Sequence, residues 1–235
     1  MANESTNSKN PLEGKETVEF FKDLDKEALQ TERFVERNAK TLATIFGVLV
    51  LGVLGYFAYQ QFVIAPKNDE ATKSYLSAIN QLATGNNVDA LGGKSAANPG
   101  FLGTYKNFPG TDAAELSAYN AGLLRFKEGK FQEAYNLLDE FSSDNDILMA
   151  LKYGAMADAA ANLNKPQEAM DLLKKASSAS EDPYTSYYFT KKAGLLSLGL
   201  KNKEEAKKHF LLIEEKYQEY DNGMSDAYIE MVKNY

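Results

Sequence analysis

The chain of 235 residues holds no cysteine, no tryptophan and a single histidine. Without cysteine there is no disulfide, no thiolate metal site, no thiol catalysis and no acylated cysteine of the kind an outer-membrane lipoprotein needs. One imidazole, His209, cannot make a histidine-rich zinc site. It falls inside an amphipathic stretch and reads as a solvated helix residue rather than a ligand or base. Positive charge is also in deficit: 26 Lys and Arg face 33 Asp and Glu, for a net charge of −7. No basic patch interleaves with aromatics, so neither nucleic acid nor an anionic lipid surface is an expected partner.

Catalytic patterns are equally scarce. Glu204–Glu205 and Glu214–Glu215 are neighbours on helical stretches, so their side chains diverge, and the surrounding Glu-Lys alternation describes a solvated face. Gly92-Gly93-Lys94-Ser95 invites a phosphate-loop reading, but that pattern needs a glycine five residues before the Gly-Lys pair, where Val88 stands. The segment reads as a loop. With no nucleophile–base set and no ligand cluster, the expectation is a non-enzyme with no catalytic residue, no cofactor and no metal.

What is present begins with another absence. From Thr41 to Ile64 no residue is charged, and thirteen of these residues are Leu, Ile, Val or Phe. Each of those favours insertion by ~0.3–0.6 kcal/mol near the bilayer centre. A helix of this length rises to about 36 Å against a hydrocarbon core of ~30 Å, so residues 41–64 are expected to span a membrane once. A cleaved signal peptide would place a short basic region before 7–15 apolar residues. Here 40 mostly polar residues come first, and the nearest cleavage-like pattern, Val63-x-Ala65, runs straight into Pro66. The span therefore reads as an uncleaved signal anchor. Lys22, Lys26, Arg33, Arg37 and Lys40 precede it, whereas only Lys67 and Lys73 follow closely. The positive-inside rule then keeps residues 1–40 in the cytosol and exports residues 65–235, which suffice for one domain.

Residues 1–40 carry one amphipathic helix, with Val18, Phe21, Leu24, Ala28 and Thr31 on one side; nine acids against seven bases suit a protein partner better than anionic lipid. Within the span, Ala43, Thr44, Gly47, Gly55 and Ala58 project within about 120°, a smooth strip that permits close helix approach, although glycine is frequent in membrane helices anyway.

Beyond the span the sequence is helix after helix. Ala71, Tyr75, Ala78, Ile79 and Leu82 form one stripe of a helix with Asn68 or Asp69 as its cap and an end near Gly85. A Gly- and Asn-rich stretch interrupts, within which Pro99-Gly100-Phe101 opens a short helix that stops at Phe108-Pro109-Gly110-Thr111. An internal repeat follows: Gly129-Lys130-Phe131-Gln132-Glu133-Ala134, Asn164-Lys165-Pro166-Gln167-Glu168-Ala169 and Asn202-Lys203-Glu204-Glu205-Ala206, with their alanines 35 and 37 residues apart. Small residues at Ala121-Gly122, Ala157 and Ala193-Gly194 mark close helix crossings. Leu137, Leu138 and Phe141, then Leu172, Leu173 and Ala176, then Phe210, Leu211 and Ile213 supply the opposing side.

A period near 34 with a helix on each side of such a turn resembles the tetratricopeptide repeat (TPR). The sequence departs from that pattern in having no Trp and in placing Arg125 where the family favours Tyr. The resemblance implies an all-α fold: the transmembrane helix, then an α-solenoid of TPR hairpins over 65–235. Within it an irregular repeat covers 69–112, clear repeats about 115–148, 150–183 and 187–220, and a capping helix 225–234. It also implies an inner groove lined by the first helices, with candidates Tyr119, Leu123, Phe126, Gly154, Asp158, Tyr188, Lys191 and Leu195. Such aromatics serve equally in a core. The Lys/Asn set that clamps a partner's terminal carboxylate in some repeat proteins is not at these places.

The whole layout, with Arg33-Phe34-x-Glu36-x-Asn38-x-Lys40-x-Leu42 leading into Gly47-Val48, Gly52 and Gly55-Tyr56, resembles the YfgM-like ancillary subunits of the bacterial Sec translocon. That resemblance implies a single-pass protein of the bacterial inner membrane with a periplasmic repeat domain. Its implied partners are the SecYEG channel, a membrane-anchored periplasmic chaperone resembling a prolyl isomerase, and exported polypeptides. The alternative is an envelope scaffold for outer-membrane assembly or for the cell-wall and cell-division machinery, since Phe108-Pro109-Gly110-Thr111 resembles the phrase that ends helices in those repeat proteins.

Overall fold

The computed structural model describes residues 13–235, with side chains from Phe34 onward, and among them every regular element is helical. Contacts divide the chain at Val63 and Ile64 into two units.

The first unit holds α1, Glu13–Tyr59, and all but the last residue of a π-helical turn, Gln60–Ile64. No proline interrupts it. It belongs to the one helical stretch among the described residues long and apolar enough to cross a membrane, and none of the apolar window is buried within the protein. Polar side chains on α1 turn back on their own backbone: Asn38 Nδ2 donates to the Phe34 carbonyl at 2.8 Å and Thr44 Oγ1 to the Lys40 carbonyl at 2.9 Å. That satisfaction within the helix is what an apolar solvent requires. The amphipathic face of Val18, Phe21, Leu24, Ala28 and Thr31 lies outside the residues whose side chains are described.

The second unit begins with α2, Ala65–Ala83. Its start differs from the expected cap at Asn68 or Asp69. Ile64 ahead of it already has helical backbone angles, and Pro66 sits in the first turn, where its missing N–H costs nothing. Two short helices, α3 (Asn87–Gly92) and α4 (Gly100–Asn107), pack with α2 around Phe101, Leu91 and Ala78. The expected loop before Gly93 is thus partly helical: Asn86 accepts the Asp89 N–H at 3.3 Å and so caps six residues too short to show a period.

Three helical hairpins follow: α5 (Asp112–Lys127) with α6 (Phe131–Glu140), α7 (Asp146–Asn162) with α8 (Pro166–Ser178), and α9 (Pro183–Gly199) with α10 (Lys203–Lys216). The first helices start on side-chain caps at Thr111, Asn145 and Asp182. Each hairpin turn is made the same way. Gly129, Asn164 and Lys201 adopt φ of 78°, 58° and 57° at equivalent positions. The next N–H then reaches back five residues, Lys130 to Arg125, Lys165 to Ala160 and Asn202 to Ser197, at 2.9, 3.0 and 2.9 Å. This left-handed closure satisfies carbonyls at the end of each first helix.

Inside the first and third hairpins the helices approach where a side chain is missing. A Cβ on Gly122 would meet Leu138 Cγ at 2.8 Å, and one on Gly194 would meet Phe210 Cε2 at 3.0 Å. Between hairpins, Tyr135 donates to Glu168 at 2.6 Å, and burial together with that carboxylate pushes its hydroxyl up to about 12. Two short helices, α11 (Gln218–Asp221) and α12 (Asp226–Lys233), close the stack, with Ile229 and Val232 buried beside Phe210 and Ile213.

Candidate functional site

The repeated turns put the three first helices in one register, so Leu116, Leu151 and Tyr188 are equivalent, as are Leu123, Asp158 and Leu195. Neighbouring first helices touch: α5 against α7, and α7 against α9. Lys192 Nζ lies 2.6 Å from Asp158 Oδ2 across that last contact.

Among the residues expected in the groove, three present apolar surface. Leu123, Tyr188 and Leu195 are 38, 47 and 40 % exposed. Tyr119 is half-buried, its ring 5.2 Å from that of Phe141, and burial raises its hydroxyl pKa. Phe126 packs 5.3 Å from Phe131. Gly154 is buried under Phe189 and offers nothing to a partner. Asp158 is engaged by Lys192.

Lys191 is turned toward the end of the stack, where its ammonium lies 3.1 Å from Asp221 Oδ1 and 3.0 Å from the Tyr187 hydroxyl. Asp221 is buried and also accepts the Ser225 N–H and hydroxyl, each at 2.6 Å, and the Tyr187 hydroxyl at 2.7 Å. Burial opposes its ionisation, but these bonds from Ser225, Tyr187 and Lys191 outweigh it and hold the carboxyl below its ordinary pKa.

Sequence reasoning missed Ile147, Leu151 and Tyr184, which are 39, 38 and 57 % exposed. The available signal was spacing: Ile147–Leu151 and Tyr184–Tyr188 are i, i+4 pairs in the first turns of α7 and α9, so each pair shares a face. Beside the corresponding turn of α5 opens a cavity of about 350 Å³, with Leu116, Phe141 and Leu148 on its walls and Asp112, Glu115 and Asp144 among its lining. The strip is therefore apolar and wide, with a recess at one end.

The other candidates sit elsewhere. On α1, a Cβ built on Gly47 or Gly55 would meet nothing within 4 Å, and Thr44 is occupied with Lys40. Ala43 and Ala58 lie on the same helix and are exposed.

His209 is not the solvated residue expected. It is buried, and its Cβ lies 3.3 Å from where a Cβ of Gly194 would stand. Its Nε2 lies 3.4 Å from Glu205 Oε2, and Glu205 faces Lys174 of α8 at 3.3 Å. Burial lowers the His209 pKa, helped by Lys174 and Lys208 and opposed by Glu205. Among the described residues no group of three or more His, Asp or Glu could hold a metal ion.

Comparison with family models, with curated proteins and with solved structures finds no match to this chain.

Proposed function

We propose that this is a non-catalytic, membrane-anchored TPR protein whose first-helix face binds other polypeptides. The observation that carries the reading is the recurrence of exposed apolar side chains on equivalent turns of stacked helices, Leu151 with Tyr188 and Ile147 with Tyr184, where a solvated surface alone would favour polar residues. Repeated left-handed turns and small residues at the crossings support the assignment to the TPR class. The charge-free run 41–64 and the lysine and arginine bias before it support a single-pass inner-membrane protein with the hairpins in the periplasm.

The resemblance noted above adds a place: beside the SecYEG channel, with a membrane-anchored chaperone, assisting the handover of exported polypeptides. Purification of the full-length protein in mild detergent, with identification of what accompanies it, tests this. Channel subunits support the reading. Outer-membrane assembly factors or cell-wall enzymes without the channel replace it with the envelope scaffold. Protease added to spheroplasts tests the orientation separately, since an exported domain is digested without lysis.

A further inference from the structure

The apolar strip does not lie in neutral surroundings. Ile147 and Tyr184 are the second residues of their helices and Leu151 and Tyr188 follow one turn later, so the strip runs within ~9 Å of rise from the loops that feed α5, α7 and α9. Those loops and the first helical residues after them carry Asp112, Asp144, Asp146, Glu181 and Asp182, and no lysine or arginine. Helix N-termini favour acids, and two of the five serve there: Asp146 accepts from Ile147 and Ser180, and Asp182 from Thr185. Asp112, Asp144 and Glu181 make no side-chain hydrogen bond or ion pair among the described residues and stand in solvent. Two lysines lie close by: Lys152 is buried with its ammonium on the carbonyl oxygens of Asp139 and Phe141, and Lys67 holds its ammonium 2.6 Å from the Pro109 carbonyl in the loop that feeds α5. The opposite ends of the same helices carry a lysine in each hairpin turn, Lys130, Lys165 and Lys201, of which Lys130 and Lys165 are paired with Glu128 and Glu168.

Resting on the groove reading above, we infer that the occupant of this face is a cationic apolar polypeptide segment. It lays aliphatic or aromatic side chains on the strip and turns lysine or arginine toward the loops. The recess beside α5 fits that chemistry on its own account: its walls of Leu116, Phe141 and Leu148 suit the methylene stem of a long side chain, and Asp112 and Asp144 suit an ammonium or guanidinium head. An acidic segment would meet repulsion at the loops that feed α7 and α9.

The test uses full-length protein in nanodiscs of uncharged lipid. Short labelled peptides share one apolar sequence and differ only in carrying lysine, glutamine or glutamate at the interleaved positions. The lysine peptide is expected to bind about tenfold tighter than the glutamine peptide, a difference of ~1.4 kcal/mol, and the glutamate peptide more weakly still. Raising the salt from 0.05 to 0.5 M, roughly a threefold shorter screening length, should close most of the gap. The exposed double variant Asp112→Asn, Asp144→Asn should cost the lysine peptide its advantage and leave the glutamine peptide unchanged. Leu151→Ser and Tyr188→Ser should weaken both. Equal binding of the lysine and glutamine peptides, with both still sensitive to Leu151→Ser, overturns the charge selection and leaves the groove intact. Failure of every peptide to bind, or indifference to both strip variants, overturns the groove reading and this inference with it.

Discussion

The ring of Phe189 fills the space that a side chain on Gly154 would need: a Cβ there would stand 2.1 Å from Cε1 and 2.6 Å from Cζ. Phe189 is 2 % exposed and belongs to the central core, so it has nowhere to move. Gly154→Ala gains ~1 kcal/mol of helix propensity but overpacks the α7–α9 contact by about 1–3 kcal/mol, and the balance is expected to destabilise the domain. Gly199→Ala is the internal control, because a Cβ at that position meets nothing within 4 Å. It should be stabilising by up to ~1 kcal/mol. Denaturant midpoints of the two variants should therefore move in opposite directions.

Lys201 occupies the same left-handed turn position as Gly129 and Asn164, with φ of 57° and an exposed side chain. A residue with a Cβ is strained there and glycine is not. Lys201→Gly should raise stability by about 0.5–1 kcal/mol, read from chemical denaturation. A loss would show that the lysine side chain contributes more than its backbone costs.

Asp221 holds the end of the stack through Ser225, Tyr187 and Lys191. Asp221→Ala leaves those donors without an acceptor and should cost about 2–3 kcal/mol. Hydrogen exchange should show the loss concentrated in α12 and the end of α10, with α5 to α8 unaffected. Because the folded-state pKa of Asp221 lies below its unfolded value, its contribution is complete above about pH 4 and disappears as pH falls through the folded value.

His209 gives a profile of the same sign at higher pH. Its folded-state pKa is depressed below 6.5, so the unfolded chain takes up a proton first as pH drops. Stability should be full above about pH 7 and decline below about 6.5 until the folded pKa is passed. His209→Gln should flatten the denaturation midpoint between pH 7.5 and 5, roughly the histidine range. An unchanged slope in that variant would assign the effect to carboxylates instead.

The features legible in the sequence were those set by spacing alone. The charge-free run, the recurrent turns at Gly129, Asn164 and the Lys201–Asn202 step, and the small residues opposite Leu138 and Phe210 all follow from local period. Burial by a distant partner was not legible. Tyr119 is covered by Phe141, Lys191 is captured by Asp221, and the Cβ of His209 packs against Gly194 on another helix. Each depends on which element arrives from 15 or more residues away, which a helical period does not encode. The six residues of α3 were hidden for another reason: less than two turns cannot display a stripe.

No hairpin touches any but its immediate neighbours: α5 and α6 reach α7, α7 and α8 reach α9, and nothing in α5 or α6 reaches α9 or α10. Cohesion in such an array is pairwise, so opening spreads from a terminus one layer at a time, and the terminal layer is secured on one side only. Pulled from Tyr235, this domain should lengthen in steps of one hairpin. A binding partner that bridges α7 and α9 would act as a splint, joining layers that the protein alone couples only through adjacent surfaces.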